Sequence, residues 1–114
     1  MADFRVCPDT GLFFHRPAEG LMKANAVAAA VSLLIAGFLG ILVALTRWPA
    51  VHLLPADHFY MALTAHGIGA LIFWIIFFEM AILYFASSTL LRCRLAAPRW
   101  AWLAFLIMVI GAIM

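Results

Sequence analysis

Two long stretches of this sequence carry almost no charge, and this feature limits the possible fold more than any other. They lie at residues 24–46 and 60–91. Hydrophobic residues make up 68% of the 114 residues, and charged residues make up 11%. A soluble domain of this length cannot bury so much apolar surface, so we expect lipid to be its solvent. Because backbone groups in lipid must be satisfied within the segment, the predicted fold class is all-α, a polytopic transmembrane helical bundle.

The apolar stretches and the polar segments between them divide the chain into six parts. The first crossing gives about 34 Å of helix, enough for a hydrocarbon core of about 30 Å, and the second is longer and must tilt or project. The predicted parts are a cytoplasmic N-terminal leader at 1–23, transmembrane helix 1 at 24–46, an external loop at 47–59, transmembrane helix 2 at 60–91, a cytoplasmic loop at 92–99 and a partial transmembrane helix 3 at 100–114.

The leader and the ends of the crossings carry signals for helix boundaries and orientation. In the leader, Pro8, Gly11 and Pro17 are expected to prevent an early helix. Basic residues are most frequent in cytoplasmic segments, which predicts that the leader and the second loop face the cytoplasm. These residues are Arg5, Arg16 and Lys23 in the leader, Arg47 in the first loop, and Arg92, Arg94 and Arg99 in the second loop. The net charge of +2 is too small to indicate a nucleic-acid partner.

The third apolar segment, at 100–114, is too short to cross the membrane. It gives about 22 Å of helix, and a carboxylate at its end would lie in hydrocarbon. We therefore expect the first two helices to be complete and the third to be truncated, as in an N-terminal piece of a larger membrane protein. The alternative is a short third helix that ends against a partner.

One histidine lies inside the second apolar stretch, in the run Thr64-Ala65-His66-Gly67. Ionisable residues within a membrane are rare and usually functional. A haem iron suits a lone imidazole, because each helix needs to supply only one axial bond. Gly67 and Gly69 are expected to clear space beside the ring. The alternative is a histidine that is hydrogen-bonded to a neighbouring helix, with the glycines serving helix contact.

Other residues with possible chemistry give weaker signals. Glu79 lies about 20 Å deeper than the membrane histidine and on a different face, so the two cannot share a metal. It is either part of a proton relay or a neutral acid hydrogen-bonded to a neighbouring helix. His52 and His58 lie in a loop without a third ligand and are predicted to be solvated. Cys7 and Cys93 form no metal-ligand spacing and are predicted to be reduced thiols.

The run Thr64-Ala65-His66-Gly67, which opens a second transmembrane helix after a short outer loop, resembles the first haem-ligand motif of haem-copper oxidase subunit I. The wider stretches at 59–67 and 78–84 are most similar to the ba3-type (B-type) branch of that family. The resemblance covers most of the chain, from the first crossing to the start of the third. It implies that the chain is an N-terminal fragment of a cytochrome c oxidase catalytic subunit.

The resemblance also implies a cofactor, partners and a location. His66 would be one axial ligand of the low-spin haem (b or a), and no catalytic residue or other metal ligand is expected here. Copper and the second haem would be held by later helices, so the fragment alone would be inactive. In the family, electrons from cytochrome c reach oxygen, and the reaction is coupled to proton translocation. The expected partners are other oxidase subunits, including a copper-bearing subunit II, cytochrome c and the lipid bilayer of a bacterial-type inner membrane.

Two alternative functions fit the same residues. A nitric oxide reductase large subunit is a sister enzyme with the same ligand scheme. A small non-catalytic membrane subunit would pack against a larger complex and would use His66 only for a hydrogen bond between helices.

Overall fold

Two long apolar helices dominate the computed structural model, which describes residues 3–114. The predicted all-α fold class is confirmed, with the addition of one short β-hairpin. The described elements are β1 (Phe4–Val6), β2 (Phe13–His15), α1 (Arg16–Arg47), α2 (Ala56–Ile68), a π-helical turn (Gly69–Phe73), α3 (Trp74–Thr89) and α4 (Pro98–Ile113).

The long helices have the length and composition of membrane spans. One is α1, and the other is the continuous helix Ala56–Thr89, formed by α2, the π turn and α3. Their most apolar windows have mean hydropathies of 2.6 and 2.3, and only 17% and 11% of those windows are buried within the chain. The core helix of a soluble protein would hide its apolar side chains, so these two helices need an apolar surrounding. The third apolar helix, α4, is shorter.

α1 extends beyond the predicted crossing at 24–46. It begins at Arg16, and Pro17 therefore lies in its first turn rather than ending an early helix as predicted. Proline is tolerated there because the first N–H groups of a helix have no partner within the helix. Glu19 in the first turn and Arg47 in the last turn have the charges that favour the respective helix ends.

The residues before α1 form a β-hairpin that the sequence reasoning did not predict. β1 and β2 pair in antiparallel register, with Phe4 opposite His15 and Val6 opposite Phe13. In the turn, the Gly11 N–H donates to the Cys7 carbonyl at 2.9 Å, and Gly11 has a φ of 67°. This left-handed conformation is one that glycine adopts without steric cost.

The chain divides into two compact units. The middle unit is Ala29–Ile76, and the terminal unit combines the described residues up to Ala28 with Phe77–Met114. Within the terminal unit, the Phe77 and Phe105 rings meet edge to face at 6.1 Å between centroids. This contact packs α3 against α4.

Candidate functional site

The membrane histidine predicted from the sequence, His66, lies near the end of α2 in the middle unit. Its ring is half-buried, and the π-helical turn begins three residues later at Gly69. The turn is closed by the Trp74 N–H, which donates to the Gly69 carbonyl. Single π-helical turns within α-helices are frequently found at functional sites.

One hydrogen bond holds the imidazole of His66 against α1. Its Nδ1 lies 2.7 Å from the backbone carbonyl oxygen of Ala36. A carbonyl can only accept, so Nδ1 must carry the proton and donate. In the neutral ring, Nε2 then keeps its lone pair. Nε2 forms no hydrogen bond within the part of the chain that the structure describes.

The Ala36 carbonyl is accessible to the ring because residue 40 is a glycine. In an α-helix this carbonyl also accepts the N–H of Gly40, and its second lone pair remains available. A Cβ at position 40 would lie 2.8 Å from Cε1 of His66 and 3.0 Å from its Nδ1. Real Cβ contacts are essentially never so short, so any side chain there would displace the imidazole.

The two glycines that follow the histidine have different surroundings. A Cβ at Gly67 would have no neighbour within 4 Å, so the space beside this glycine is open. A Cβ at Gly69 would lie 3.1 Å from the Cβ of Ala36, which is fully buried. Gly69 therefore brings the helix backbone close to α1, and Gly40 is the residue that admits the imidazole.

Neither Gly40 nor Ala36 was singled out for this site from the sequence. A usable signal was present in the spacing. A glycine four positions after a small residue leaves a helix carbonyl sterically open, because residue i+4 lies beside the carbonyl of residue i. The sequence could not identify which histidine would use this opening.

The other residues singled out from the sequence do not join this site. His52 is exposed, and His58 pairs with Asp57 at 3.2 Å. Glu79 is exposed on α3 and has no polar partner among residues 3–114. No cluster of three or more metal-ligating side chains occurs within the described residues. An axial haem site does not need such a cluster, since one imidazole per helix is sufficient.

A second histidine with a defined environment, His15, was missed by the sequence reasoning. It is buried in the terminal unit, where its backbone N–H donates to Oγ of Ser88 at 2.7 Å. The Leu95 N–H donates to its Nδ1 at 3.3 Å. An N–H can only donate, so Nδ1 accepts, and a neutral ring then carries its proton on Nε2. Its partners lie 73 and 80 positions away, and no local pattern reports such contacts.

In the hairpin turn, Cys7 has a pKa below the ordinary value for a thiol. The main cause is a hydrogen bond from the side chain of Thr10, followed by backbone hydrogen bonds from Asp9 and Thr10. Hydrogen bonds to a thiolate favour the charged form. Both Cys7 and Cys93 are free.

Comparison with known proteins gives one family. Residues 20–114 match the family described as cytochrome c and quinol oxidase polypeptide I. The match includes both long helices almost completely, as well as His66, Ala36 and Gly40. No curated protein and no solved structure matches the chain significantly.

Proposed function

Since the chain belongs to the cytochrome c and quinol oxidase polypeptide I family, the haem-copper oxidase subunit I, we propose that His66 is one axial ligand of its low-spin haem. Oxidases of this family act in electron transport within a membrane. This protein is accordingly an integral membrane protein. The proposal depends on a single observation. The imidazole donates from Nδ1 to the Ala36 carbonyl, which leaves the Nε2 lone pair available.

The residues around the imidazole fit the requirements of an axial ligand. Histidines that bind metals usually donate their other ring N–H to a carbonyl or carboxylate, which fixes the tautomer and increases the basicity of the ligand. Ala36 supplies this acceptor at 2.7 Å, and it belongs to a regular helix that limits its movement. Gly40 leaves the space that the ring occupies.

In this proposal each residue has a defined task. His66 binds the iron through Nε2, Ala36 orients the ring, and Gly40 allows the ring to reach the carbonyl. When bound, the haem supplies a one-electron carrier. The π-helical turn at Gly69–Phe73 shifts the helical register directly after the ligand, so residues beyond it lie on a different face from the one a regular helix would give.

The finer assignment follows the similarity of residues 59–67 and 78–84 to the ba3-type (B-type) branch. We assign to the whole subunit the transfer of electrons from cytochrome c to oxygen, coupled to proton translocation. The opposite axial ligand, the second haem and the copper are assigned to other helices of the subunit, and a copper-bearing subunit II is the expected partner. The basic residues favour a cytoplasmic leader. We assign the chain to a bacterial-type cell membrane by the same similarity.

One observation also favours a second role for His66, a purely structural hydrogen bond between helices. The contact with the Ala36 carbonyl is such a bond. Hydrogen bonds between membrane helices contribute on average about 0.6 kcal/mol. Asparagine could make the same bond, because its amide N–H lies at the position of Nδ1 in the imidazole.

The two roles are separated by His66→Asn and His66→Ala in the full-length subunit, produced with its partner subunits. Asparagine retains a donor for the Ala36 carbonyl and removes the imidazole lone pair. We expect both variants to lose the low-spin haem absorption, and His58→Ala to retain it as the matched control. The measurement is the reduced-minus-oxidised optical spectrum of the purified complex.

An unchanged low-spin spectrum in His66→Asn would contradict the ligand proposal and favour the structural role. His66→Asn controls for folding, because it keeps the helix contact that His66→Ala removes. Equal loss in His58→Ala would show that the spectrum reports assembly of the complex rather than ligation.

A further inference from the structure

The terminal unit contains a cavity whose lining includes none of the residues of the proposed haem-ligand site. Its volume is about 360 Å³. One wall is the hairpin, which contributes Phe4, Val6 and Phe13. The other wall is the connection after α3, which contributes Arg92 and Arg94. The cavity therefore combines an apolar surface with two positive charges.

Both guanidinium groups are free to bind an anion. Neither Arg92 nor Arg94 pairs with a carboxylate within residues 3–114. The Arg92 guanidinium lies 4.6 Å from the centroid of the Phe13 ring. Stacking on an aromatic face orients a guanidinium and leaves its in-plane N–H groups available. Two guanidinium groups at one cavity provide N–H donors for hydrogen bonds to a phosphate.

The two walls are tied together by the buried histidine of β2. The backbone N–H of His15 donates to Ser88 near the end of α3, and its Nδ1 accepts the N–H of Leu95. Leu95 directly follows Arg94. His15 therefore links the hairpin both to the end of α3 and to the segment after Arg94. The connection also contains Arg92 with a φ of 50°, a left-handed conformation that non-glycine residues rarely adopt. These contacts preform the cavity in the absence of a ligand.

The cavity lies where apolar helices end. α3 ends at Thr89, and the connection to α4 begins with Leu90 and Leu91, each 70% exposed. Exposed leucines next to arginines are typical of a membrane interface, where the apolar side chains meet lipid and the cations meet headgroups. A ligand at this place would have an anionic headgroup and an apolar body.

We propose that this cavity binds an anionic phospholipid of the membrane leaflet on the side of the hairpin. The phosphate is bound by Arg92 and Arg94, and the apolar part next to the headgroup packs on Phe4, Val6 and Phe13. None of the described residues that line the cavity carries a carboxylate that would repel the phosphate.

The test uses the full chain in detergent and native mass spectrometry with added phosphatidylglycerol or phosphatidylcholine. We expect the wild-type chain to retain phosphatidylglycerol in preference to phosphatidylcholine. Arg92→Gln and Arg94→Gln should each reduce this retention about fivefold, the size expected for one arginine near an anionic lipid surface. Arg99→Gln is the matched control, because Arg99 is also exposed and near the connection but does not line the cavity.

A second variant tests the cavity without changing charge. Val6→Trp adds volume to the apolar wall and should lower phosphatidylglycerol retention to the level of the arginine variants. Retention as strong as in the wild type would overturn the proposal, as would equal losses in Arg99→Gln and Arg94→Gln. Displacement of the lipid by millimolar inorganic phosphate would also overturn it, since the cavity would then be a site for free phosphate. Circular dichroism checks that helix content is unchanged in each variant.

Discussion

At the residue scale, the geometry of the candidate site depends on one missing methyl group. The imidazole of His66 reaches the Ala36 carbonyl only because Gly40 has no Cβ. Close packing in protein interiors transmits even the volume of one methylene group to neighbouring atoms. A small change on α1 is therefore expected to act on the candidate ligand, which belongs to another helix.

We predict that Gly40→Ala weakens haem binding without removing the ligand. The new Cβ would lie 2.8 Å from Cε1 of His66, so the ring must rotate and its hydrogen bond to Ala36 must lengthen or break. Loss of such a supporting contact typically lowers metal affinity about 10- to 100-fold. Haem occupancy per purified complex and the position of the low-spin band measure the effect.

Gly37→Ala is the matched control for this prediction. It makes the same substitution one turn earlier on α1, where a Cβ would have no neighbour within 4 Å. Occupancy should equal that of the wild type. If Gly37→Ala and Gly40→Ala had the same effect, general packing of α1 rather than the position of the imidazole would be responsible.

At the scale of elements, two features adapt regular structure to particular contacts. The π-helical turn interrupts the helix Ala56–Thr89 directly after the membrane histidine, and Gly69 at its start packs on α1. The hairpin before α1 is short, and a two-stranded ribbon of this size is marginal by itself. Its stability must therefore come from tertiary contacts, which include those of His15.

We predict that His15→Ala loosens the hairpin from the connection after α3. The substitution removes the acceptor of the Leu95 N–H and the ring contact between His15 and Phe4, whose centroids are 5.2 Å apart. One hydrogen bond contributes about 1 kcal/mol, so the amide of Leu95 should exchange about fivefold faster. Hydrogen exchange with mass spectrometry measures this rate.

His15→Asn tests whether the acceptor is the cause. The asparagine side-chain oxygen can replace Nδ1 as the acceptor, so exchange at Leu95 should be slower than in His15→Ala. His52→Ala, at an exposed loop position, should leave the rate unchanged. An exchange rate in His15→Ala equal to that of the wild type would show that the hairpin is held by other contacts.

At the scale of the whole molecule, the apolar side chains point outward along both long helices. Leu34 on α1 is 74% exposed and Leu71 on the second long helix is 71% exposed. Such continuous apolar surfaces are stable in lipid or against another membrane helix. They explain why the sequence has so little charge.

We predict that a charge on this apolar surface raises the free energy of membrane insertion more in the middle of a helix than in a connection. Leu34→Arg places a cation near the middle of α1 and should make the measured free energy of membrane insertion less favourable by about 3–4 kcal/mol. Leu91→Arg is the matched control, because Leu91 is 70% exposed but lies in the connection after α3. In water the two substitutions would cost about the same, so equal effects would argue against membrane insertion of α1. A glycosylation-based insertion assay provides the measurement.

The sequence alone was sufficient for the fold class and for the choice of His66 as the candidate ligand. Apolar runs of 24–46 and 60–91 leave a helix as the only backbone structure that satisfies its own hydrogen bonds in lipid. A lone histidine in such a run is costly enough to be informative. The first residue of α1 was harder to predict from the sequence, because a proline such as Pro17 is compatible with the first turn of a helix as well as with a helix break.

The tertiary structure alone decided which atoms meet. Local sequence patterns predict where a helix forms and which side chains it carries. They do not predict which carbonyl of another helix lies against those side chains. The pairing of His66 with Ala36, the space left by Gly40 and the burial of His15 against Ser88 all join residues far apart in the chain. The sequence determined that an imidazole would lie among apolar residues. The packing of α1 determined its tautomer and left Nε2 as the nitrogen available to a metal.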